Sequence, residues 1–132
     1  MKLKNYLIIC TKSDIVYGRL ELKNYESFTR GLDRIFEICY WERCWGIKDN
    51  ILNNILHVPD TSGTFKITHN QLQQIIDLLK SFNSKNWSEG NNIWTYGEIK
   101  RKLARDVREL KWLYGYLKDK PEIEIYFINE LL

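Results

Sequence analysis

The chain has 132 residues, of which 44% are hydrophobic, 14% aromatic and 28% charged, a balance that supports one folded core and excludes a disordered polyelectrolyte. No apolar run approaches the ~20 residues that span a bilayer, and Tyr6 to Cys10 is too short for the apolar part of a secretion signal, so a single cytoplasmic domain over residues 1–132 with no membrane contact is expected. The net charge of +3 is too small for a protein that coats DNA, and affinity for polyanions must come from local clustering.

Leu3 to Thr11 is an apolar run of a length that suits a central strand covered on both faces. After Lys12-Ser13-Asp14 the alternation of Val16, Gly18, Leu20 and Leu22 with Tyr17, Arg19 and Glu21 predicts a hairpin partner. Asn24 is placed to cap a helix whose stripe runs Phe28, Leu32, Ile35 and Cys39. A second stripe of Ile38, Trp41, Trp45, Leu52 and Leu56 lies on another side, which predicts a kink or a helix break near Gly46.

Pro59 to Thr64 is the clearest loop, with a short strand over Phe65 to Ile67 after it. Thr68 and Gln71 have capping-box spacing, and Leu72, Ile75, Ile76 and Leu79 supply the buried stripe of the helix they open. Asn83 to Asn92 reads as a surface loop holding Trp87. Thr95 and Glu98 form a second capping box for a long helix with the stripe Ile99, Leu103, Val107, Leu110, Tyr114 and Leu117, which Pro121 ends. Glu122 to Ile128 alternates, so the chain closes on a strand. The expected fold is α+β: a small, mostly antiparallel sheet, made of an N-terminal hairpin and a C-terminal strand, packed against about three helices.

Cys10, Cys39 and Cys44 lack C-x-x-C spacing, which argues for free thiols and against a zinc site or other bound cofactor. His57 and His69 flank the Pro59 loop and with Asp60 inside it could supply a general base or half a metal site, but the spacing names no ligand to complete one. Asp60-Thr61-Ser62-Gly63 differs from the Asp-Thr-Gly triplet of aspartic proteases by the inserted Ser, and no phosphate-cradling glycine loop occurs. The expectation is a protein that is not an enzyme.

Two constellations point to binding. Between Glu98 and Lys120 the cations Lys100, Arg101, Lys102, Arg105, Arg108, Lys111, Lys118 and Lys120 outnumber Glu98, Asp106, Glu109 and Asp119. At 100° per residue Arg101, Arg105, Arg108 and Trp112 share one sector opposite the core stripe, where guanidinium forks suit phosphate or carboxylate and an indole can stack a base. An ordinary solvated helix face has a similar composition. Tyr40, Trp41, Arg43 and Trp45 crowd three large aromatics and an arginine into six residues, the residue types that anchor protein interfaces, unless the helix carrying them is buried all round.

The segment Tyr40-Trp41-Glu42-Arg43, followed by Ile47 and Ile51, resembles the Tyr-Trp-Arg-Lys helix of small uncharacterised proteins carried by bacteriophages and gut-bacterial mobile elements. The order of a short strand, a capped helix, a long helix and a final strand is similar as well, from about Ile35 onward. The resemblance implies a phage-type accessory protein in the cytoplasm of a bacterial host. Its expected function is to inhibit a host anti-phage component, either by binding a host protein through Tyr40, Trp41, Arg43 and Trp45 or by sequestering a small anionic nucleotide on Arg101, Arg105, Arg108 and Trp112. The alternative is nucleic-acid binding through the basic helix face over residues 100–112. The aromatic content also fits a homodimer or higher homo-oligomer.

Overall fold

A computed structural model of the chain describes residues 3–11, 36–82 and 96–131. The elements are β1 (Leu3–Thr11), β2 (Phe36–Glu42), α1 (Trp45–Asn50, continued by a π-helical stretch over Ile51–Leu56), β3 (Gly63–Ile67), α2 (His69–Ser81), α3 (Tyr96–Tyr116, tightened to 3-10 over Leu117–Asp119) and β4 (Ile123–Leu131). This is an α+β fold. The sheet is antiparallel throughout, in the order β2-β1-β4-β3, so the run beginning at Leu3 forms a central strand as its apolar length predicts.

Strands β1 and β4 pair from Leu3 opposite Leu131 to Thr11 opposite Ile123. One face of the sheet contributes Leu7, Cys39, Trp41, Ile67, Ile125 and Phe127 to a core completed by Ile47 and Ile51 of the first helical segment, the α2 stripe, and Leu103, Leu110 and Leu113 of α3. Tyr6, Ile8, Cys10, Tyr126 and Ile128, which alternate with those side chains, are buried too. Both faces of the central pair are therefore removed from water, and β4 lacks the wet side that its Glu124 and Tyr126 suggest. The Tyr126 hydroxyl donates to the Glu124 carboxylate, and burial together with that bond holds the phenol well above its usual pKa.

The main correction concerns residues 36–42, which form strand β2 and not the helix expected through Cys39 and Trp41. Apolar side chains lie on both faces of this strand, Cys39 and Trp41 on one and Tyr40 on the other, so the three- and four-residue spacings of a helix are satisfied by accident. The break falls at Arg43 and Cys44, ahead of Gly46: Arg43 takes a left-handed φ of 56°, and its N–H donates to the Leu3 carbonyl at 2.9 Å. The expected hairpin partner over residues 16–22, the capped helix start at Asn24 with Phe28, Leu32 and Ile35, the loop over 83–92 with Trp87, and the Thr95 cap lie outside the described residues.

Helix α2 follows its prediction closely. The Thr68 hydroxyl accepts from the Gln71 N–H at 3.1 Å while the Gln71 side chain accepts from the Thr68 N–H at 2.9 Å, and Leu72, Ile75, Ile76 and Leu79 are buried. The loop before β3 is fixed at several points. The buried Lys48 ammonium bonds both oxygens of Asp60 at 2.8 and 3.0 Å and lies 2.7 Å from Asp49. Asn129 of β4 donates to the Thr61 carbonyl at 2.9 Å, and the Ser62 hydroxyl accepts from the Leu131 N–H at 3.0 Å. Asn5 lies opposite Asn129 in the sheet and donates to it at 2.8 Å, so a fully buried amide pair sits at the heart of the fold.

Candidate anion-binding face on helix α3

Helix α3 turns Ile99, Leu103, Leu110, Leu113 and Leu117 inward, which fixes what it turns outward. Arg101, Arg105 and Arg108 are exposed in one row, and with Glu98, Lys102 and Ala104 they line an open basin of about 560 Å³. The sole ion pair the described residues offer these arginines is a long 4.0 Å contact between exposed Arg105 and Glu109, a geometry worth a fraction of a kcal/mol at most. The guanidinium donors are thus open to another acceptor.

The row ends on an aromatic pair. Trp112 stacks on Tyr116 with ring centroids 4.9 Å apart and planes 12° from parallel, and the Lys120 ammonium lies 4.1 Å from the Tyr116 ring centre. Trp112 is 66% exposed and Tyr116 41%, and these two are the exposed large hydrophobic residues among the described ones. Such side chains are normally covered, and here they are held in a fixed stack beside cations.

One flank of α3 is anchored by a buried charge cluster. Asp106, 1% exposed, accepts from the Trp41 indole at 3.1 Å and from Lys102 at 3.0 Å. The Cys39 thiol of β2 belongs to the same cluster, and burial first, then the Asp106 charge, push its pKa well up. Burial also raises the nearby Glu37 carboxyl, against the opposing effect of Lys102. On the other flank the positive character passes to α2: the Lys80 ammonium lies close enough to Lys111 to hold the latter below the usual lysine value. Like charges left side by side mark a surface suited to an anion.

Comparison with family models, with curated proteins and with solved structures finds no match. The face is therefore judged on its own chemistry.

The four residues of the other sequence constellation are dispersed. Trp41 is fully buried and hydrogen-bonded to Asp106, so it is a core side chain and not a docking residue. Tyr40 points to the opposite side of the sheet, against Tyr6 at 5.0 Å. Arg43 occupies the strained turn with a buried Nε that meets no acceptor, and Trp45, half-buried, lies under the Lys48 ammonium at 4.9 Å. Tyr40-Trp41-Glu42, read above as helical, ends a strand. His57 closes the π-helical stretch in a left-handed conformation with φ 55°, His69 stacks on Tyr114 at 3.9 Å, and Asp60 is engaged by Lys48. Among the described residues no cluster of three metal-ligating side chains occurs.

Sequence reasoning found the arginine row and Trp112 but missed Tyr116 and Lys80. Tyr116 was accessible as the i+4 neighbour of Trp112. Lys80 has no local signal, because its proximity to Lys111 depends on the packing of α2 against α3.

Proposed function

We propose that the chain is a non-enzymatic binding protein whose outer α3 face captures an anionic ligand bearing a flat ring, the chemistry of a nucleotide. The observation that carries this reading is the exposed Trp112–Tyr116 stack continuing a row of three arginines without close acid partners among the described residues. Guanidinium forks recognise phosphate oxygens bidentately, and an open indole face stacks on a base. In the bacterial setting implied by the resemblance, capture of such a ligand would inhibit a host component by withholding its signal. Dispersal of Tyr40, Trp41, Arg43 and Trp45 gives docking of a host protein on those residues less support.

Native mass spectrometry of the freshly purified chain, followed by titration with ATP and inorganic triphosphate at low salt, tests the reading. The expected result is an anionic adduct that disappears when Arg101, Arg105 and Arg108 are replaced by Ala. Absence of any arginine-dependent adduct at low salt refutes it.

A further inference from the structure

Resting on the anion-binding reading just given, we infer that the ligand of this face is an unpaired nucleic-acid strand, laid along α3 with one base stacked on the open side of Trp112. The shape of the site is the first argument. A free nucleotide is typically held in a cleft that covers most of its surface, whereas Arg101, Arg105 and Arg108 are exposed along one helix face, and Trp112 stands 66% exposed. An exposed row along a helix gives a small ligand few simultaneous contacts. A polymer gains from each contact in turn.

Spacing is the second argument. At 1.5 Å per residue Arg101 and Arg105 are about 6 Å apart along the axis, Arg108 follows after about 4.5 Å, and Trp112 after about 6 Å more. This ladder has the scale of successive phosphates on an unstacked strand. The third argument is the stack itself: Tyr116 covers one side of Trp112, and a free base on the other side makes a third layer. Bases within a duplex are already stacked and cannot enter. Positive charge also extends beyond the helix, to Lys80 on α2 and to Lys120 past the C-terminal end of α3, as a ligand longer than one nucleotide requires.

The test is fluorescence anisotropy of the full chain with labelled oligothymidylate and oligouridylate about 20 nucleotides long, against a duplex of equal length, a mononucleotide and polyglutamate. With three to four phosphates neutralised, the logarithm of affinity should fall with the logarithm of salt with a slope of about −2 to −3. Replacing Arg101, Arg105 and Arg108 by Ala should remove about two units of that slope. Trp112→Ala should weaken strand binding roughly 5- to 150-fold and leave the slope unchanged, and Trp112→Leu, which keeps apolar bulk, should weaken it similarly. All four side chains are exposed, and circular dichroism of each variant verifies the fold. Duplex, mononucleotide or polyglutamate binding as tightly as the strand overturns this inference while leaving anion capture standing. So does strand binding insensitive to both Trp112 variants. If no anion binds in an arginine-dependent way, both readings fail.

Discussion

Asp106 provides a sensitive test of how the α3 face is held. Its carboxylate is 1% exposed and is paired with a lysine only 10% exposed, so removing it by Asp106→Ala leaves a mostly buried ammonium and the Trp41 indole N–H without their acceptor. Breaking one partner of a buried pair costs about 3–5 kcal/mol. For 132 residues the unfolding entropy near the midpoint is about 0.28 kcal/mol/K, so the expected fall in Tm is about 11–18 °C. A cycle of Asp106→Ala, Lys102→Ala and the double variant, followed by urea denaturation with circular dichroism, isolates the pair. The double variant should be more stable than the summed single losses imply by at least about 1.5 kcal/mol. A solvated i,i+4 pair would couple by about 0.3–0.5 kcal/mol, and a measured value in that range refutes the claim that this charge cluster is desolvated.

Three other outcomes follow from features of the same fold. Asn129→Ala removes the partner of both Asn5 and the Thr61 carbonyl and should cost about 1–3 kcal/mol, with faster amide exchange in the 59–62 loop; unchanged exchange there would show that the loop does not depend on β4. His57→Gly relieves a left-handed residue at the end of a helical segment and should stabilise the chain by up to about 1 kcal/mol, as read from the urea midpoint; a loss of stability would assign the imidazole an interaction of its own. Finally, the Cys39 thiol, the Tyr126 phenol and the Lys48 ammonium all keep their protons more tightly in the folded chain: burial raises Cys39 and Tyr126, while for Lys48 the bonds and charges of Asp49 and Asp60 outweigh the opposing effect of burial. Groups with raised folded values stabilise fully below their ordinary pKa values, 9.0, 10.0 and 10.5, and lose that stabilisation as pH rises through the folded ones. The urea midpoint under reducing conditions should thus be steady from neutral pH to about 9 and fall above it, with Cys39→Ala delaying the onset; a midpoint that stays flat to about pH 11 refutes the assignment.

The elements legible in the sequence are those whose side chains obey a single period. Leu72, Ile75, Ile76 and Leu79 leave no doubt about α2, the Thr68–Gln71 pair marks its start, and Arg101, Arg105, Arg108 and Trp112 share a face because α3 is a regular helix. Strand β2 was not legible: Cys39 and Trp41 pack on one side of the sheet while Ile38 and Tyr40, half-buried, occupy the rest of the strand, so polar alternation never appears. The contacts that bury Lys102 and Asp106 against Trp41, and Lys48 beside Asp60, were out of reach for a different reason. Their meaning depends on desolvation and on contacts between distant segments, whereas a one-dimensional reading sees only lysines and aspartates on presumed wet surfaces.

The pairing of β1 with β4 also governs how the chain can be made. Residues 3–11 leave a ribosome well before residues 123–131, one of their neighbours in the sheet, and among the described strands β3 joins the sheet through that same strand β4. During vectorial synthesis α2 and α3 can coil locally, while the sheet on which their apolar faces rest stays unfinished until Leu131 is free. Closing a segment of that length makes contact order high and folding slow, and Leu7 and Ile8 lack their β4 neighbours until residues 123–131 have been made.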